Sequence, residues 1–265
     1  LVAKFVPPPL PSSTDVKQAI WLDQAWSHRD RFWFHHASQG TATLPVPYDW
    51  FVELERAEFA PFNAPGRLAD SQYLQRFGFI PSPATAKGQA FDGRAPQFGY
   101  RGDGPAPTFN AAERDRLIAY PDNRDGLPVG FARLEAGIDP ATRVPFPAQV
   151  GFTCAACHTG HLEYKNVSIR FDGGPAMLDL GKFEPAIALS LAYTLKVPGR
   201  FDRFADRIAK RRAGGLAGQD KKKLKAELEQ TLNRIVITKV WEDQSTGQPH
   251  IEEGFGRLDA LNRIG

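Results

Sequence analysis

A mainly α fold, with long irregular connections and one small β-hairpin, is what this sequence predicts, and three observations lead there. Apolar residues recur at helical spacing in several separate stretches. Strict alternation appears only around Lys165-Asn166, where Leu162 and Tyr164 on one side answer Val167, Ile169 and Phe171 on the other. The 22 prolines and 24 glycines demand many turns and long connections. With 265 residues, 42% of them apolar and 24% charged, the chain can bury a sizeable core as one large domain or two small ones.

Residues 1–14 read as an extended arm, because the prolines between Val6 and Pro11 fix φ and remove donors. Ser12, Ser13 and Thr14 then offer N-caps to a helix over 15–38, carried by Val16, Ile20, Ala25, His28, Phe32 and His35 and stopped by Gly40. Shorter helices follow at about Asp49–Phe59 and Arg67–Phe77. Ile80 to Pro107 is a long loop, with the character of a lid. One modest helix near Asn110–Tyr120 precedes a turn-rich stretch ending at Pro128. After the hairpin, closed by Asp172-Gly173-Gly174, helices are expected at 181–195, 199–212 and 220–241. The last carries Leu224, Leu228, Leu232, Ile235 and Val236 on one stripe. The whole of 15–265 is taken as one domain behind the arm.

Composition excludes several roles. The net charge of +3 is mild, and no stretch interleaves basic and aromatic residues as a nucleic-acid groove requires. The longest apolar run, Ala186 to Leu195, is shorter than the roughly 20 residues a membrane span needs. Leu1 follows neither a Met start nor a signal-like h-region, so it reads as a mature or trimmed N-terminus. The lysines of 221–225, with Lys210, Arg211 and Arg212, form either a docking patch for an acidic partner or, more simply, a solvated helix face.

The chain's two cysteines stand in Cys154-Ala155-Ala156-Cys157-His158. Two thiols three positions apart can each add across one porphyrin vinyl group, and the adjacent imidazole then lies under the iron. The motif therefore points to one covalently attached c-type haem, bonded through Cys154 and Cys157 with His158 as metal ligand, and makes the mainly α domain a haem c domain. Three alternatives compete. A disulfide framework needs more cysteines, and a structural zinc site usually joins two distant pairs. A thioredoxin-type pair should open a helix after a β-strand, a pattern the expected elements lack. Since bacteria attach haem c outside the cytoplasm, a periplasmic or secreted location is expected.

The second axial position decides the function. A strong second ligand makes an electron carrier, whereas an open face lets iron bind peroxide or dioxygen. The sole methionine, Met177, lies 19 residues beyond His158 and reads as a core gap-filler, not a ligand. His161 is too near the attachment site to reach the opposite face, and His28, His35, His36 and His250 are undirected candidates. Arg170 and Lys182 are proximity candidates for the haem propionates, and Trp241 and Phe255 for apolar walls or ordinary core.

Longer words surround the pentapeptide: FHH at 34–36, PYDWF at 47–51 with Leu54-Glu55, DGLPVGF at 125–131, GFTCAACHTG at 151–160, DGGPA at 172–176 and GFGRLDA at 254–260. Together they resemble the dihaem cytochrome c peroxidase-like family that includes the rubber oxygenases. The resemblance implies a periplasmic or secreted, mostly helical oxidoreductase with two haem domains, one reacting with peroxide or dioxygen and the other transferring electrons. This sequence has a single CxxCH and stops at Gly265, so it is expected to be the N-terminal haem half of a longer protein, with the second haem elsewhere. The alternative is an electron-transfer cytochrome that transforms no substrate. The residues leave the catalytic groups unassigned.

Overall fold

The computed structural model describes residues 9–22, 24, 30, 34–35, 44, 46–58, 64–81, 125–134, 136–212, 215–245 and 254–256. The expected helix at Asn110–Tyr120 and all of the 80–107 loop beyond Pro81 lie outside them.

The architecture is mixed α/β, which corrects the mainly α expectation. Among the described residues seven strands form three small sheets. Strand β1 (Gln18–Trp21) falls inside the stretch read as the first helix, and it pairs in parallel with β7 (Val167–Asp172), Gln18 opposite Val167. Strand β6 (Thr159–Tyr164) runs antiparallel on the other side of β7, giving the order β1-β7-β6. The β6–β7 pair is the expected hairpin. Its two-residue turn works because Lys165 and Asn166 both take positive φ (47° and 65°), the twist that suits right-handed strands.

Two further pairs escaped the sequence reading. Strand β2 (Phe131–Leu134) lies antiparallel to β5 (Gln149–Phe152), and β3 (Gly137–Ile138) to β4 (Pro145–Phe146). Each is too short to show a period of two.

The helices are α1 (Tyr48–Glu53), α2 (Ser71–Gln75), α3 (Cys154–His158), α4 (Leu180–Lys196), α5 (Arg200–Arg211) and α6 (Gly218–Ser245). The last three match expectation, and α1 and α2 are shorter than the periodicity suggested. Asp179 caps α4 by accepting from the Lys182 N–H at 3.0 Å. On α6, Leu224 and Leu228 are buried while Val236 and Trp241 are exposed, so the apolar stripe is covered only along its first half.

The core is aromatic. Phe51, Phe77, Phe79, Phe131, Phe152 and Phe183 are buried together, with neighbouring ring centroids 4.8 to 6.4 Å apart and mostly edge to face. Ala156 and Cys157 pack against this cluster. The motif turn thus rests on the core of the domain.

Candidate functional site

Helix α3 is a single turn set between two sheets. Strand β5 leads into it through Thr153, and β6 begins at the residue after His158. Ala155 and Ala156 are buried, Cys154 and Cys157 half-buried, and His158 exposed. Both cysteines stand as thiols, not joined in a disulfide.

Three segments distant in sequence hold this turn. The first is the loop before β2. Thr153 N–H donates to the Gly130 carbonyl at 2.8 Å, and a Cβ on Gly130 would stand 2.1 Å from the Ala156 nitrogen. Gly130 also takes φ +85°, so close approach and backbone twist both require glycine. Ala155 packs beside Val129 and Ile80, with Phe34 against the same small cluster.

The second is the loop after β7, which covers the carbonyls that the short helix leaves open. Gly173 N–H donates to the His158 carbonyl at 2.7 Å and Ala176 N–H to the Cys157 carbonyl at 3.0 Å. Gly160 and Gly174 both lie on the Phe171 ring, where a Cβ would come within 2.6 and 2.2 Å.

The third is a buried polar cluster on Asp172. Its Oδ1 lies 2.9 Å from His35 Nε2 and accepts from Thr159 Oγ1 at 3.0 Å. The Gln24 side chain bonds the Asp172 backbone at both N–H and carbonyl, each at 2.8 Å. The sequence reading had His35 only as an undirected candidate and missed Asp172 altogether. The words FHH and DGGPA contained both, but nothing in either word says that they meet.

The remaining candidates spread out. Met177 is 51% exposed, which overturns its reading as a core gap-filler; its sulfur faces Gly256, and its carbonyl sits where only Gly78 leaves room. His161 lies 3.1 Å from Ser168 Oγ, and burial holds its pKa below the usual histidine value. Arg170 is fully buried, donating to the Pro81 carbonyl at 2.7 Å and to Ser168 at 3.1 Å; burial lowers its pKa to about 10. Lys182 pairs with Asp179 at 2.9 Å and lies over the Phe255 ring. Trp241 is exposed near the end of α6 and His28, His36 and His250 fall outside the described residues. On the basic run, Lys221 pairs with Asp206 and Lys223 with Glu227, as on a solvated face.

Two thiols one helical turn apart, with an exposed imidazole on the next residue, form a donor set suited to double thioether attachment and axial ligation of haem c. The same turn also opens directly after a β-strand, which removes the argument raised above against a thioredoxin-type pair. Among the described residues no group of three or more His, Cys, Asp and Glu side chains could hold a metal ion by itself, and no helix is long and apolar enough to cross a membrane.

The arrangement therefore defines a CxxCH protein with its motif turn between two sheets. The chain is similar to the uncharacterized protein y4iJ of Sinorhizobium fredii (strain NBRC 101917 / NGR234), with 38% identity over 267 residues. The match covers 97% of this chain and 37% of that relative, so the chain spans little more than a third of the protein it matches. No family model and no solved structure matches.

Proposed function

We propose that the chain is a c-type haem oxidoreductase, peroxidase-like or oxygenase-like, with haem attached at Cys154 and Cys157 and iron ligated by His158. The observation that carries this reading is the exposed imidazole directly after two half-buried thiols on one helical turn. The protein's part is attachment and orientation. The cysteines anchor, His158 ligates, and the loops at Gly130 and Gly173 fix the turn from both ends. Bound haem would supply one-electron chemistry, with peroxide or dioxygen as the small-molecule partner. A periplasmic or secreted location and a second haem, in a further domain or partner chain, complete the proposal.

The electron-transfer alternative uses the same residues and differs only at the iron's other face. A high-spin spectrum that changes with cyanide supports the oxidoreductase; low-spin iron indifferent to cyanide supports the carrier. The strand-to-helix placement of Cys154 favours one further reading, a dithiol that cycles with a disulfide. Intact mass and absorption after denaturation separate it from both haem readings. Retention of haem through denaturation, lost in Cys154→Ala plus Cys157→Ala, is the expected result. Haem fully extractable by acidic solvent, or a haem-free chain with a reversible disulfide, would overturn the proposal.

A further inference from the structure

Asp172 and the residue after it hold the chain at the proposed ligand and just beyond it. Its carboxylate accepts from Thr159, the residue after His158, and its chain successor Gly173 donates to the His158 carbonyl. Thr159 and Asp172 also stand opposite each other in the β6–β7 register. The carboxylate and the His35 ring are each 1% exposed, and Gln24 bonds both backbone groups of Asp172. The segment that brings His35 to Asp172 also brings Phe34 against the small cluster of Ile80, Val129 and Ala155.

A surface loop needs no such arrangement. A buried carboxylate with a histidine and a hydroxyl on one oxygen is costly to assemble, and its bonds persist only in a fully satisfied network. The covalent tethers alone leave the imidazole free to tilt. Ring orientation sets the strength of the bond to iron, and outer hydrogen-bonding groups commonly tune ligands in this way.

We infer that the His35–Asp172–Thr159 cluster is the positioning element for His158, fixing the backbone at the ligand's carbonyl and at the residue after it, and thereby the iron's ligation. The inference rests on the haem reading given above. His35 and Asp172 are positioning residues; neither is assigned contact with substrate or cofactor.

The test uses the full holoprotein with haem attachment verified by mass. Asp172→Ala, Thr159→Val and His35→Gln are compared with the parent for electron paramagnetic resonance g-values, midpoint potential and denaturant stability. Asp172→Ala is expected to keep its covalent haem, to show altered or mixed g-values and to shift the reduction equilibrium about tenfold, which is about 59 mV for one electron. His35→Gln, whose amide can still donate to Asp172, should stay within about threefold of the parent. Thr159→Val removes one bond and should shift the same observables in part; it decides the matter if Asp172→Ala does not fold. Variants that lose stability yet keep parental g-values and potential would overturn the inference while leaving haem attachment standing. A parent without covalent haem would overturn both.

Discussion

Two regions of this molecule hold buried polar groups by opposite means. Around the motif turn the chain is held by close backbone approach: Gly130 on Ala156, Gly173 on His158, Ala176 on Cys157. Around α1 it is held by charge. Glu55 accepts two bonds from Arg203 (2.7 and 2.8 Å) and lies 3.3 Å from Arg207 and 3.6 Å from Arg200; Glu53 meets Arg211 at 2.5 Å and Arg67 at 3.3 Å. Glu53, Glu55 and Arg200 are all buried. Arg211 reaches on to Asp125, which also accepts from the buried Tyr48 hydroxyl at 2.8 Å. The glycine contacts of the motif shell should therefore respond to side-chain volume, and the arginine ledge to charge and pH.

The strongest blow to the ledge is Glu55→Ala, which leaves Arg200 buried without its carboxylate. It should cost about 3–5 kcal/mol in a denaturant titration, the usual penalty for breaking a buried pair. A loss below about 1 kcal/mol would mean that the ledge is ornamental.

Gly130→Ala attacks the other region. The added methyl meets Ala156 backbone and the residue must hold φ +85°, so a loss of about 2–4 kcal/mol is expected. Glu55→Gln, nearly the same size as the parent, should do no such harm to the motif turn. If both substitutions loosen the motif and the ledge equally, by hydrogen exchange, the two regions are one unit and the contrast fails.

Acid should separate them too. Burial alone would raise the Glu55 pKa, but Arg203, Arg207 and Arg200 outweigh it and hold the group below its ordinary value. A depressed carboxyl stabilises the fold above its unfolded pKa, and that contribution is lost as pH falls through the folded value. The parent should thus lose stability below about pH 4, and Glu55→Gln should flatten that part of the profile. An unchanged acid limb would assign the loss to other carboxylates.

The smallest effect is expected at Met177. Met177→Leu preserves volume at a half-exposed site and should change stability by less than about 0.5 kcal/mol. Because Met177 is not expected to ligate iron, the parent should show no far-red sulfur-to-iron band for the variant to erase. Finding one would make the protein a six-coordinate carrier.

What was legible in the sequence follows the same division. The hairpin announced itself by alternation, and α6 by its apolar stripe from Leu224 to Val236. Strand β1 did not, because four residues between Gln18 and Trp21 fit a helical period as well as a strand; only β7, far along the chain, decides. The arginine ledge left no such sign, because Arg203 meets Glu55 across 148 residues and Arg211 meets Glu53 across 158. Cys154, Cys157 and His158 were legible because their chemistry is consecutive. Asp172 and His35 were not, since pairing at a distance of 137 residues leaves no local trace.

The parallel pairing of β1 with β7 also bears on how the molecule comes together. Gln18 meets Val167 only after nearly all of the intervening chain has been drawn into a loop, and the CxxCH turn lies inside that loop. Closure of this kind is entropically late, because a long loop must be ordered before its ends reward it. The hairpin and the α4–α5–α6 segment, whose contacts are local, can form first. Adding β1 then completes the three-stranded sheet, so the outer edge of β7 stays open until the first strand docks.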